Sequence, residues 1–164
     1  MNKTIILITG VLLLVIINNG CQSSGTEYTK YYENGQLKVL GKVFNKKQIG
    51  EWKLFYENGQ LKKIENYIEG NINGEVKQWY EDGQLEAIGN VIENKQTGTW
   101  KYYHKNGQLN QSGKWNEGEK TGEWKFHYES GELELIGKYI HGLEAGEWKK
   151  FHKNGELESK VQYD

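Results

Sequence analysis

Four histidines, a single cysteine, the serines Ser112, Ser130 and Ser159, and a recurring set of glutamates are the residues of this 164-residue chain whose types could do chemistry. A nucleophilic serine needs a sharp turn that exposes its hydroxyl, together with a histidine and an acid that converge on it. None of the three serines has that context. Glu51, Glu75, Glu123 and Glu147 recur at one place in a repeated pattern, which a solvated face explains, whereas a catalytic pair has to differ from its equivalents. No CxxC pair and no phosphate-cradling glycine loop is present. These observations predict a protein that is not an enzyme, with no catalytic residue, no cofactor and no metal site.

The histidines lead to the elements that must position them. His104, His127 and His152 occupy places where other copies of a 24-residue repeat carry tyrosine, phenylalanine or tryptophan, and so read as aromatic substitutes. The repeat is set by YENGQLK, present at 32–38 and again at 56–62, with relatives at 80–86, 104–110, 128–134 and 152–158. The central glycines Gly35, Gly59, Gly83, Gly107, Gly131 and Gly155 are all 24 residues apart. A fixed period in this range marks a repeat architecture. His104 and His152, two repeats apart, are then separated by roughly 20 Å at ordinary strand spacing, too far to share a zinc ion with ligands at about 2 Å. His127 has the opposite parity, and His141 lies in a connecting loop.

A second marker keeps the same period. Gly50, Gly74, Gly98, Gly122 and Gly146 each stand two residues before Trp52, Val76, Trp100, Trp124 and Trp148. Each copy has two apolar-alternating runs around Asn-Gly, Asp-Gly or Ser-Gly, a hairpin signal because a type I′ turn needs positive φ at both central residues. With Asn58 and Gly59 as the loop, Tyr56 faces Leu61, Leu54 faces Lys63 and Trp52 faces Glu65. The same register sets Tyr28 opposite Gly41, Trp100 opposite Gly113 and Trp124 opposite Gly137. Rings are expected to cover those glycines. The fold class is therefore all-β: a single elongated, coiled antiparallel sheet of tandem hairpins, with six repeats at 26–49, 50–73, 74–97, 98–121, 122–145 and 146–164.

The other face carries Glu27 opposite Lys42, Glu123 opposite Lys138, and a lysine column at Lys53, Lys77, Lys101, Lys125 and Lys149. One aromatic column shares that parity: Tyr31, Phe55, Trp79, Tyr103, His127 and Phe151, with Leu40, Ile64, Ile88 and Ile136 beside it. An apolar stripe on a charged face is either a partner surface or, if coiling buries it, a second minor core. The six aromatic positions are the candidate partner surface.

Residues 1–20 read as a signal segment, with Lys3 before an apolar run from Ile5 to Ile17 that is shorter than a bilayer span. Without them the chain has 20 lysines against 22 carboxylates, which predicts no nucleic-acid partner. Cys21 follows Gly20 in an arrangement that resembles a bacterial lipobox, although Asn18 stands where an aliphatic residue is usual. Cys21 is the expected lipidation site, palmitate included, and residues 21–25 are a short tether. This places the protein in the cell envelope, lipid-anchored to a bacterial membrane.

The pattern G-x-W, an aromatic pair, N-G-[QE]-L and G-x-[YVW] resembles the bacterial variant of the MORN repeat, over residues 26–164. Val76 for Trp, Glu65 for Gly and Val161 for Gly depart from it. The resemblance implies a binding or scaffolding module without a catalytic residue in the repeat, here directed at a protein or envelope glycan. It also admits an alternative, an antitoxin or immunity protein of the YwqK-like group that neutralises a cognate toxin.

Overall fold

A computed structural model describes residues 25–164; the expected signal segment, the expected lipidation site Cys21 and the expected tether up to residue 24 lie outside the described residues. The described chain forms one open antiparallel sheet. Its strands are β1 (Thr26–Tyr31), β2 (Leu37–Phe44), β3 (Lys47–Phe55), β4 (Leu61–Ile68), β5 (Asn71–Ile72), β6 (Gly74–Trp79) and β7 (Leu85–Ile92). They continue with β8 (Lys95–Tyr103), β9 (Leu109–Asn116), β10 (Glu119–His127), β11 (Leu133–Ile140), β12 (Leu143–Phe151) and β13 (Leu157–Tyr163). Neighbours in sequence are neighbours in the sheet, and β5 pairs only with β4.

The two edges of the meander are closed by different turns. At the YENGQLK edge the Gly59 N–H donates to the Tyr56 carbonyl at 3.0 Å and the Tyr56 N–H to the Gln60 carbonyl at 2.8 Å. Gly59 is left-handed at φ 85°, whereas Asn58 is not among the residues with positive φ. The loop is thus three residues, Glu57 to Gly59, in which a turn is followed by a left-handed glycine and a bulge. This corrects the two-residue turn expected at Asn-Gly. The extra loop residue shifts the ladder between Leu54 and Phe55, so Phe55 and not Tyr56 pairs with Leu61, while Leu54↔Lys63 and Trp52↔Glu65 occur as expected.

Type I′ geometry appears at the opposite edge. Asn45 and Lys46 have φ of 48° and 64°, and Glu93 and Asn94 have 48° and 65°. Each pair is closed by directly opposed residues, Phe44↔Lys47 and Ile92↔Lys95. Positive φ outside glycine is uncommon, though less so for Asn; Gly70, Gly118 and Gly142 fill the second place in the other three turns of this edge, whereas Lys46 and Glu93 are not residues that mark such a turn. Their tight two-residue closure, which matches strand twist, selects the conformation.

The G-x-W marker is a bulge. In the β2–β3 ladder Lys42 pairs with Ile49 and Leu40 with Lys53, which leaves Gly50, Glu51 and Trp52 opposite Gly41 alone. Gly50, with φ 65°, makes the bend. Into the gap falls the indole of Trp52: a Cβ added to Gly41 would stand 2.2 Å from its Cδ2. The same arrangement recurs for Gly89 under Trp100, Gly113 under Trp124 and Gly137 under Trp148, at 2.1, 2.2 and 2.0 Å. The expected cross-strand pairs Trp100↔Gly113 and Trp124↔Gly137 are present in the ladder. The rings, however, cover the glycine of the preceding strand, because the bulge opens space on that side.

These tryptophans make a core on one face of the sheet. Trp52, Trp100, Trp124 and Trp148 are buried with Val76, Ala87 and Val91. Tyr139 meets Trp148 edge-on at 5.0 Å between centroids, and Trp115 meets Trp124 edge-on at 5.6 Å. One junction departs from the rule. Where the pattern calls for a glycine beneath a tryptophan, the chain has Glu65 and Val76, both buried. The smaller valine leaves room for the larger side chain of Glu65, so the two departures compensate one another.

Candidate binding surface

Strand alternation places Phe55 with Lys53, Trp79 with Lys77 and Tyr103 with Lys101, on the face opposite the tryptophan core. Tyr31 is 61% exposed. Phe55, Trp79, Tyr103, His127 and Phe151 are half-buried. Each is paired at the tip bulge with the leucine of the turn motif, as in Phe55↔Leu61, Trp79↔Leu85 and Tyr103↔Leu109. The fold brings all six into one column, flanked near the tips by these leucines.

The tip tyrosines hold this column in place. Tyr32 Oη donates to the Phe55 carbonyl at 2.8 Å, Tyr56 to Trp79 at 2.7 Å, Tyr80 to Tyr103 at 2.7 Å and Tyr128 to Phe151 at 2.8 Å. At the one interior copy where histidine replaces tyrosine, His104 Nε2 lies 2.9 Å from the His127 carbonyl. The motif is therefore a stitch between repeats. Its asparagines add a second one, from Asn34 Nδ2 to the Glu57 carbonyl and from Asn58 Nδ2 to the Glu81 carbonyl, both 3.0 Å.

Around the column the charges pair along the strand. Lys53 lies 3.0 Å from Glu51, Lys77 2.6 Å from Glu75, Lys125 3.2 Å from Glu123 and Lys149 2.8 Å from Glu147. These pairs are solvent-exposed and contribute little stability each, about 0 to 1 kcal/mol. They set a polar band beside the rings.

Two places on the core face break the repeat symmetry. Glu65 is 5% exposed, with Lys63 Nζ at 2.5 Å and the Tyr67 hydroxyl donating to it at 2.8 Å. Burial, then the hydrogen bond to Glu65 and its charge, push the Tyr67 phenol up to about 12. This carboxylate is neutralised and hydrogen-bonded in place, as a buried charge must be. Lys120 lies 4.2 Å from the Trp124 ring and 5.0 Å from that of Tyr139. Burial holds its amine below the ordinary lysine range.

The histidines are dispersed. His141 sits at the first position of a turn with φ 49°, and Glu119 is 3.7 Å from its Nδ1. His152 lies 3.8 Å from Glu158. Among the described residues no group of three or more His, Cys, Asp or Glu could hold a metal ion.

The structure also has a second apolar column, which the sequence motifs do not mark. Phe44, Ile68, Ile92 and Ile140, each just before a type I′ turn, are 43, 63, 59 and 46% exposed. Their 24-residue spacing, interrupted at Asn116, is the signal that could have found them. It is a faint one, because the turns that follow, such as Asn45–Lys46 and Glu93–Asn94, share no constant glycine.

Comparison with known proteins agrees with the period. The family model described as the MORN repeat variant matches residues 26–45, 48–69, 72–92, 96–117, 120–141 and 145–164. No curated protein matches the chain. Among solved structures, a chain of a GtfA/B complex bound to UDP and GlcNAc is similar at 8% identity and a TM-score of 0.30, over 84% of this chain and 27% of that one. A protein with unknown function from Bacteroides fragilis NCTC 9343 is similar at 12% identity and a TM-score of 0.16, over 88% and 96% of the two chains. The present chain thus spans about a quarter of the first of these.

Proposed function

The chain belongs to the MORN repeat variant family, whose repeats suggest a binding module, and from that premise we propose a non-enzymatic module tethered to a bacterial membrane through Cys21. It presents the column Tyr31, Phe55, Trp79, Tyr103, His127 and Phe151 to a partner in the cell envelope. The observation that carries this reading is the contrast between framework and column. The tip stitches, the left-handed glycines and the buried tryptophans recur with few exceptions. The column instead varies among Tyr, Phe, Trp and His on a face where the core does not need it. A large aromatic group on a charged face is a usual anchor for a partner.

Replacing Trp79 and Tyr103 together by serine is expected to abolish retention of the envelope partner while the far-UV spectrum stays that of the native sheet. Loss of the spectrum would instead identify the column as a second core. Metabolic labelling with palmitate, with Cys21→Ala as the control, tests the tether; equal labelling of both chains would remove it from the reading.

A further inference from the structure

The sheet has two free edges, β1 and β13. They stand in the same antiparallel relation as β3 and β2, so a second copy could in principle lay its β1 on β13 and continue the array head to tail. Such a contact is heterologous and does not close on itself, and edge strands that allow it lead to filaments. Whether it forms depends on how a following strand joins the one before it.

Within the array the joint is made by a ring lying on a glycine. A Cβ added at Gly41, Gly89 or Gly113 would stand 2.7, 2.4 and 2.4 Å from the Cγ of Trp52, Trp100 and Trp124. Every aromatic side chain begins with that Cγ, so the slot requires glycine whichever ring enters it. On β13 the slot is filled: Val161 stands at the place of Gly41, Gly89, Gly113 and Gly137. The one interior junction with a filled slot shows the consequence. After Glu65 the next strand carries Val76 instead of a ring and is broken into β5 and β6, and β6 keeps only the pairs Lys63↔Gln78 and Ile64↔Lys77 with β4.

Two further departures in the sixth repeat act in the same sense. Lys160 takes the place of Leu40, Ile64, Ile88 and Ile136, and its Nζ lies 3.1 Å from Glu147 on β12. A lysine at an edge discourages pairing. Asn154 Nδ2, whose counterparts in Asn34 and Asn58 donate to the next tip, donates instead to Glu156 Oε2 of its own turn at 2.9 Å. The other edge does not fit either. β1 has Thr26 where Gly50, Gly98, Gly122 and Gly146 make the bulge with φ of 65, 67, 67 and 69°, and Thr26 is not among the residues with positive φ.

We infer that the sixth repeat is a cap: Val161 and Lys160 close β13 to the β1 strand of a second copy, and the chain does not extend head to tail. A capping repeat is what a solenoid-like array needs to stay soluble. The inference is independent of the partner that the aromatic column meets.

The test uses the full chain in detergent and sedimentation equilibrium across a concentration series. The unaltered chain is expected to stay monomeric. An acceptor variant, Lys160→Ile/Val161→Gly, restores the slot, and a donor variant, Thr26→Gly/Tyr28→Trp, restores the bulge and the ring. Mixed, the two are expected to form a complex of at least twice the monomer mass, with a blue shift of tryptophan emission, while the donor alone stays monomeric because its own β13 is closed. Lys160→Ile/Val161→Ala should not bind the donor, since one Cβ already meets the ring; this separates the slot from the loss of a lysine. If Val161→Gly loses the amide protection of β13, Lys160→Ile is mixed with Thr26→Gly/Tyr28→Val instead, because the Glu65–Val76 junction admits valine beside a filled slot. Head-to-tail association of the unaltered chain, mixtures that stay monomeric, or equal association of the Val161→Ala and Val161→Gly acceptors overturns the inference.

Discussion

Replacing Gly113 by alanine adds one methyl group at a place where the indole of Trp124 lies 2.2 Å from the new carbon. The backbone at 113 is not left-handed, so alanine meets no conformational penalty and the perturbation is steric alone. A shift of a few tenths of an ångström cannot relieve so close an approach. Trp124 is 0% exposed and boxed in by Trp115, Phe126 and Tyr139, with ring centroids at 5.6, 6.2 and 6.0 Å. Overpacking alone costs about 1–3 kcal/mol. Driving the ring out of its slot forfeits most of what tryptophan burial contributes, about 3–5 kcal/mol. Gly113→Ala is therefore expected to destabilise by about 3 kcal/mol or more. The native Glu65–Val76 pair indicates the remedy. In Gly113→Ala/Trp124→Val the methyl group has room, and the double variant should be no less stable than Trp124→Val alone. Urea unfolding of the four proteins, followed by far-UV circular dichroism, closes the cycle, with a coupling of about 3 kcal/mol or more expected, equal to the cost of Gly113→Ala alone. Additive losses, or a cost below about 1 kcal/mol for Gly113→Ala, would refute the ring-on-glycine account.

Gly50→Ala meets no atom within 4 Å but must hold φ 65°, so it should cost only the left-handed penalty of about 1–2 kcal/mol; Gly50→Asn should cost less in the same urea titration. Tyr56→Phe removes the hydroxyl that donates to the Trp79 carbonyl at 2.7 Å and should lower stability by about 1 kcal/mol, with faster amide exchange at the tips on either side. The Tyr67 phenol, raised from 10.0 to about 12, favours the native state while it is protonated. That contribution is present below pH 10 and disappears as pH rises towards 12. Among the several tyrosines shifted upward, phenolate absorbance should show Tyr67 titrating latest and Glu65→Gln bringing it part of the way down, burial keeping the rest of the shift; an unchanged titration would mean that Glu65 does not act on it.

Much of the ladder was legible because strand chemistry is local. Alternation fixed the faces, and the glycine period fixed which residues oppose one another, down to Trp52↔Glu65 and Trp124↔Gly137. The turns were less legible. Asn-Gly serves both two- and three-residue loops, and the choice is made by a register that one loop residue shifts. Pairs such as Asn45–Lys46 carry no glycine, so their positive φ is imposed by closure rather than by residue type. Nor could pairing reveal which glycine a tryptophan covers, since that depends on a bulge on one side of the strand.

The amino-acid sequence by itself determined an all-β array of six in-phase repeats, its two faces and the aromatic column, because each follows from period, alternation and turn chemistry within 24 residues. Tertiary structure alone decided how consecutive repeats meet. The tyrosine of YENGQLK reaches the next repeat's backbone 23 residues on, Glu65 is accommodated because Val76 is small, and Phe44, Ile68 and Ile92 emerge at the far edge. The first two are matters of fit between separate repeats, and a pattern read within one repeat carries no record of the distance to the next; the exposure of the last three follows from where the edge turns close.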